Sequence, residues 1–516
     1  MKILNGALLA AGVAACALAT PASAQDALSA RSRYSHVLLI SVDGLHAVDL
    51  ANWTASHPGG ALASLAQHGV VYPNAYTTAP SDSFPGMIAQ VTGGTPYSAG
   101  VFYDDSYDRT LFAPGSACQG QPGTETQYAE NIDKDKNLLN GGGTLGQPLT
   151  QIDPAQLPLS NASGQCLPVY PHQFIRVNTL FEVVRAHGGH TAWSDKHPAY
   201  DILNGPSGQG IADLFTPEIN SLIPVAGNTT DDNTTSFTAT RDYDEVKVRA
   251  ILNEIDGRDS TGSRRAPVPA VFGMNFQAVS VGQKLAKSGL LDPAGLVGGY
   301  TDANATPGKA LTLQLAYVDG ALRRMIAELQ RRSLLDFTLV IVSAKHGQSP
   351  IDRSLRVAVS DTPFTLTPGY AFHVADDVGL VWLQPQTRAA NLAAADAYLQ
   401  SQAGTLDIAG LAGPDLLRLI YQDPATDSRT PDFIAIPQHG VIYTTGSKLA
   451  EHGGFAQDDR NVALVVSAPR IQGRVVQDVV ETRQIAPTIL RALGLNPAEL
   501  EAVRIEGTRA LPDALR

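Results

Sequence analysis

The run from Val37 to Val42 is almost unbroken in apolar residues and stops at Asp43-Gly44. A strand with both faces apolar has to lie inside a sheet that helices cover on each side. Phe337 to Ser343 repeats the pattern and runs into Ala344-Lys345-His346-Gly347. Val268–Phe276, Thr191–Trp193 and Val462–Val466 read as further strands. Between them lie helical patterns: Ala61 to Gly69, Asn178-Thr179 capping a helix to Ala186, Glu245–Ile255, Ala389–Ser401 and Ile485–Leu493. The longest, Ala310–Arg332, places Leu311, Leu315, Val318, Leu322, Met325 and Leu329 on one face. This alternation predicts an α/β fold with a mostly parallel central sheet and helices on both faces. Ligands of such sheets bind beyond the carboxyl ends of the strands. Asp43, Asp195, His197, Asn275, Lys345 and His346 all fall at expected strand ends.

The first residues read as an export signal. Lys2 is followed by an apolar run from Ala7 to Leu18, and Ala22-Ser23-Ala24 forms a small-x-small cleavage pattern. The expected division is a signal peptide over 1–24 and one catalytic domain over 25–516. No later segment has the apolar length of a membrane span. The expected location is a periplasm or the medium. There the two remaining cysteines, Cys118 and Cys166, are most simply a disulfide. Both lie in a polar stretch, about 97–171, rich in Gly, Pro, Asn and Asp. A second polar insertion covers about 205–241, and a small subdomain is expected over about 378–422. The net charge of -12 argues against a nucleic-acid-binding surface. The sequence does not define an oligomeric state.

Chemistry concentrates in Ser81-Asp82-Ser83-Phe84-Pro85-Gly86-Met87. Pro tolerates the first turn of a helix, so the hydroxyl of Ser83 is expected at a helix N-terminus, where backbone amides favour negative charge. Serine alone is a weak nucleophile and needs a base or a metal beside it. With Gly93-Gly94-Thr95-Pro96 behind it, the segment resembles the type I phosphodiesterase/nucleotide pyrophosphatase branch of the alkaline phosphatase superfamily. In that family a hydroxyl nucleophile precedes Phe-Pro.

The resemblance implies an alkaline-phosphatase-like fold and a metal-dependent hydrolase of small phosphoesters, phosphodiesters or nucleotide pyrophosphates, acting through a serine phospho-enzyme. Asp43 resembles the first metal-binding aspartate, Ser83 the nucleophile, His346 the histidine of an Asp-His-Gly motif and His452 a late His-Gly ligand. The implied cofactor is Zn2+, as one or two ions, which lie about 4 Å apart when paired. Three departures stand beside these matches. Lys345 occupies the position of a metal-binding aspartate. The stretch Met274–Val281 lacks the family's Asp-x-x-x-His pair, leaving the amides Asn275 and Gln277 as expected substrate contacts. Gly86 stands where the family carries a phosphate-holding Asn. Lys345 is therefore expected to supply positive charge in catalysis, Asp195 or His197 to complete a metal site, His197 or His452 to act as acid or base, and Lys196 to bind substrate. The alternatives are a sulfuric or phosphonate ester hydrolase on the same fold, and a non-catalytic exported binding protein.

Overall fold

The computed structural model describes residues 34–516, so the expected signal segment lies outside the described residues. Eight strands form the main sheet: β1 His36–Val42, β2 Gly69–Val71, β3 Ala192–Ser194, β4 Asp213–Phe215, β5 Val271–Phe276, β6 Thr338–Ser343, β7 Leu464–Ser467 and β8 Arg474–Val475. Their spatial order is β8-β2-β7-β6-β1-β5-β3-β4. All neighbours pair in parallel except those of β7, which runs antiparallel to both β6 and β2. The mostly parallel sheet expected from the apolar runs is present.

Alternation along each strand divides the core in two. Val37 and Leu39 of β1, with Leu339 and Ile341 of β6, face one cluster. Leu38, Ile40 and Val42, with Val340 and Val342, face the other. The first face is covered by α3 Ser83–Thr92, α4 Leu180–Ala186 and α8 Ile485–Ala492. The second is covered by α1 Ala47–Ser56, α2 Ala61–Gln67, α5 Phe237–Ile255, α6 Ala278–Lys284 and α7 Lys309–Arg331. Burial of both sheet faces explains why β1, β5 and β6 lack a polar stripe.

Two helices depart from the sequence pattern. Helix α5 begins at Phe237, eight residues before Glu245, because Ser236 caps it by accepting from Ala239 N and because Phe237 and Tyr243 are buried. The polar residues between them hid this first stretch. Asp319 of α7, which reads as a surface or capping charge, is buried and accepts from the backbone N–H groups of Ala61 and Leu62 at 3.0 and 2.9 Å. It thus caps α2 from a different helix, a contact no local pattern encodes.

The segment expected over 378–422 lies within a four-stranded antiparallel sheet built from Tyr370–Ala375, Gly379–Leu383, Phe433–Pro437 and Ile408–Ala412, with the helix Arg388–Ser401 alongside. Buried Asp432 ties it to the rest by pairing with Arg109 at 2.7 Å and with Arg388. Cys118 and Cys166 are joined in a disulfide across the polar stretch.

Glu254 is 1% exposed on α5, and neither carboxylate oxygen has a hydrogen-bond partner among the described residues. Burial, with Asp213 adding to it, pushes its pKa well above the ordinary carboxyl value. Between those two values the unfolded chain releases a proton that the folded chain retains, so stability falls as pH rises. Glu254→Gln is expected to stabilise the protein by about 1–3 kcal/mol near neutral pH and above. The gain should vanish toward the ordinary carboxyl pKa in acid. Thermal unfolding of both proteins across this pH range measures it.

Candidate active site

Register gathers the site. Ser41 of β1 lies level with Asn275 of β5 and Ser343 of β6, and Met274 lies level with Ser194 of β3. Four parallel strands therefore end together, and the chain leaves them at Asp43, Gln277, Ala344 and Asp195. Asp43, Asp195, Lys345 and His346 are each 1% exposed or less.

Helix α3 brings the hydroxyl to this edge. Asp82 caps it, its Oδ2 accepting from Phe84 N at 3.0 Å and from Asp104 N at 3.1 Å. Burial, then the nearby Asp104, pushes the Asp82 pKa well above its ordinary value, so this cap resists ionisation. The helix lies directly against the end of β6. Gln90 Nε2 donates to Ala344 O at 2.9 Å, and a Cβ on Gly86 would stand 2.1 Å from Lys345 O. Gly86 is thus a close-approach residue, and its lack of a side chain lets Ser83 meet the Lys345-His346 loop.

Ser83 Oγ accepts from Lys196 Nζ at 3.1 Å and lies 3.3 Å from His346 Nε2. The Nδ1 of His346 is 2.8 Å from the carbonyl of Gly347, which can only accept. Nδ1 therefore carries the ring proton, and Nε2 presents a lone pair to the serine hydroxyl. Burial lowers the His346 pKa from its ordinary value and so favours the neutral ring, against the opposing pull of Asp43.

Asp43 is the anionic hub. Its Oδ1 accepts from Asn275 Nδ2 at 2.7 Å and its Oδ2 from Gln277 Nε2 at 2.6 Å. The ammonium groups of Lys196 and Lys345 each stand 3.9 Å from Oδ2, and His346 Nε2 stands 3.7 Å away. Burial alone would raise Asp43; the Lys345 ammonium, His346 and Lys196 outweigh it and hold the carboxyl well below its usual range.

Lys345 is wholly buried. Its Nζ bonds Asp195 Oδ1 at 3.0 Å and Tyr200 OH at 2.6 Å. Burial lowers its pKa from the ordinary lysine value, while Asp195 and Asp43 oppose that shift. Asp195 is fully engaged, because Trp193 Nε1 donates to its Oδ2 at 2.9 Å and Lys196 N to its Oδ1 at 2.9 Å. For Lys196, burial is outweighed by Asp43, Asp104 and Asp195, which raise its pKa and keep it charged.

The remaining expected residues are placed differently. His197 Nδ1 pairs with Glu218 Oε2 at 2.8 Å. Burial, with Lys196 adding to it, pushes His197 down to about 4. Neither His197 nor Lys345 hydrogen-bonds Ser83. His452 lies beside His346 with ring centroids 3.9 Å apart and ring planes tilted by 37°, and its Nδ1 lies 3.5 Å from Asp82 Oδ1. Asn275 and Gln277, expected at the substrate, instead donate to Asp43, and Gln277 donates to Asn275 as well. Sequence reasoning did not single out Asp82, Tyr200, Trp193 or Glu218. Only Asp82 had a local signal, as an acidic cap next to the hydroxyl.

The donors do not fit the two-ion set that the resemblance implies. Of the first ion's ligands, Asp43, Ser83 and His346 are present, but the fourth position is an ammonium. Of the second ion's ligands, only His452 is present. Two ammonium groups border the shared carboxylate, and a divalent ion there would be repelled by both.

Residues 37–459 match the family model for type I phosphodiesterase / nucleotide pyrophosphatase. Similar solved structures include murine ectonucleotide pyrophosphatase / phosphodiesterase 5, at a TM-score of 0.55 and 13% identity over 90% of this chain and 96% of that one. An inactive variant of that murine protein in complex with AMP is similar at a TM-score of 0.55 and 12% identity, again over 90% and 96%. Wild-type alkaline phosphatase PafA gives a TM-score of 0.63 at 12% identity over 94% of this chain and 99% of that one. These structures share the fold. A comparison with curated proteins finds no match. On the extent of the family match and the fold that accompanies it, the chain belongs to the type I phosphodiesterase/nucleotide pyrophosphatase family.

Proposed function

We propose that this chain is an exported hydrolase of phosphoric esters, acting on a phosphodiester or a nucleotide pyrophosphate through a phospho-enzyme on Ser83. The observation that carries this reading is the setting of Ser83 Oγ, with the Lys196 ammonium at 3.1 Å and the His346 Nε2 lone pair at 3.3 Å. A base on one side and a cation on the other is the arrangement that activates a weak hydroxyl nucleophile.

In the first half-reaction Ser83 Oγ attacks phosphorus, its proton passes to His346 Nε2, and the bond to the leaving oxygen breaks. The proton returns through solvent to the departing alkoxide. In the second half-reaction water attacks the phosphoserine, gives its proton to His346, and the freed Ser83 alkoxide recovers it. Lys196 stabilises the serine oxygen and the phosphoryl oxygens as charge gathers on them. Asp43 keeps the Lys196 ammonium charged and beside the nucleophile. His452 packs beside His346, with ring centroids 3.9 Å apart. No step runs through zinc, because the donors do not fit it.

A panel of bis-p-nitrophenyl phosphate, thymidine monophosphate p-nitrophenyl ester, p-nitrophenyl phosphate and p-nitrophenyl sulfate tests the assignment. Turnover is expected on the first two. Preferential turnover of the sulfate would replace it with sulfuric ester hydrolysis. Silence on all four, with tight binding of a nucleotide, would make the chain a binding protein.

A further inference from the structure

Resting on the phosphoester reading above, we infer that the ammonium groups of Lys196 and Lys345 replace divalent ions at this site, so that Ser83 acts without a metal. Three observations converge on it. The carboxylates at the strand ends already have cations beside them: Asp43 faces both ammonium groups, and Asp195 pairs with that of Lys345. Both oxygens of Asp43 already accept amide protons from Asn275 and Gln277. The nucleophile itself is bonded to an ammonium, where a metal-activated hydroxyl would face its ion.

The two lysines divide the work by exposure. Lys345 has no exposed side-chain surface and spends its protons on Asp195 and Tyr200, so it is a positioning residue. It fixes Asp195 and balances Asp43. The Lys196 side chain retains 14% exposure and reaches Ser83 Oγ, so it also meets the incoming phosphoryl group. Lys196 is the catalytic residue of the pair. An ammonium donates directional hydrogen bonds and carries a single charge. It suits a singly charged phosphodiester better than a doubly charged monoester.

The test begins with the zinc content of the full chain after dialysis against zinc, with the rate of bis-p-nitrophenyl phosphate hydrolysis before and after chelation. The expected result is zinc far below one per chain and an unchanged rate. Lys196→Met should lower kcat about 100-fold, the scale of losing one transition-state donor, with a smaller change in KM and native circular dichroism. Lys345→Asp should raise zinc uptake toward one per chain, since it returns a carboxylate to the site. One or two zinc ions per wild-type chain, lost in His346→Ala or His452→Ala, would overturn the inference. So would hydrolysis abolished by chelation and restored by zinc. If Lys345→Asp fails to fold, the wild-type count and Lys196→Met still decide. If no phosphoester is turned over, the zinc count still judges this inference, while the hydrolase assignment falls alone.

Discussion

Ser83→Ala is expected to reduce phosphodiester hydrolysis at least about 1,000-fold, the scale seen when a covalent nucleophile is removed while binding groups remain. The loss should fall on kcat, because Lys196 still holds the phosphoryl oxygens. Folding should be untouched. Ser83 does not cap α3; Asp82 does, through Phe84 N. Replacing the hydroxyl leaves the Lys196 ammonium beside Asp43, its charge partner at 3.9 Å. Initial rates on bis-p-nitrophenyl phosphate give the size of the effect. Intact-mass measurement of the wild type, quenched during turnover, should show a phosphoryl adduct that Ser83→Ala lacks. A variant that keeps its rate, or an adduct that survives the substitution, would move the nucleophile to another residue.

Lys345→Met is expected to destabilise the fold by about 3–5 kcal/mol, the cost of stranding a buried charge partner. The side chain is wholly buried between Asp195 and Asp43. Methionine fills a similar volume, so the loss reports charge rather than a cavity. Asp195 keeps its donors from Trp193 and Lys196 N but loses its counter-ion. The double variant Lys345→Met with Asp195→Asn should recover much of the loss, because it removes the stranded carboxylate as well. Urea unfolding of the single and double variants measures both terms. Equal destabilisation in the two would show that the lysine acts through packing alone.

The match over residues 37–459, together with the alkaline-phosphatase-like sheet, makes a phosphoester hydrolase the assignment that fold and family support. The disulfide is consistent with an exported chain, since such bonds persist in oxidising compartments. Among the described residues no helix is long and apolar enough to cross a membrane.

Much of the architecture was legible along the chain. Strands buried on both faces announce themselves as short apolar runs, and β1, β5 and β6 were visible for that reason. Each ends in a residue of chemical use, so Asp43, Asn275, Lys345 and His346 could be named from one dimension. The Ser-Phe-Pro segment located the Ser83 hydroxyl at a helix start, because proline's fixed φ suits the first turn. The antiparallel direction of β7 was not legible, since an apolar run has no arrow.

What each polar group does was decided only in three dimensions. Asn275 and Gln277 looked like substrate contacts until register set them against the two oxygens of Asp43. Lys345 looked like the catalytic cation, yet Asp195 and Tyr200 hold it away, while Lys196, two positions past β3, reaches the Ser83 hydroxyl. Gly86 looked like a lost phosphate contact and proved to be the close approach between α3 and the loop after β6. Local sequence determines which segments are strands and helices, because propensity and periodicity act over neighbours. Which charge faces which is set by contacts between residues more than a hundred positions apart, such as Lys345 with Asp195 and Ser83 with Lys196. Over those distances only the folded chain brings the charges together.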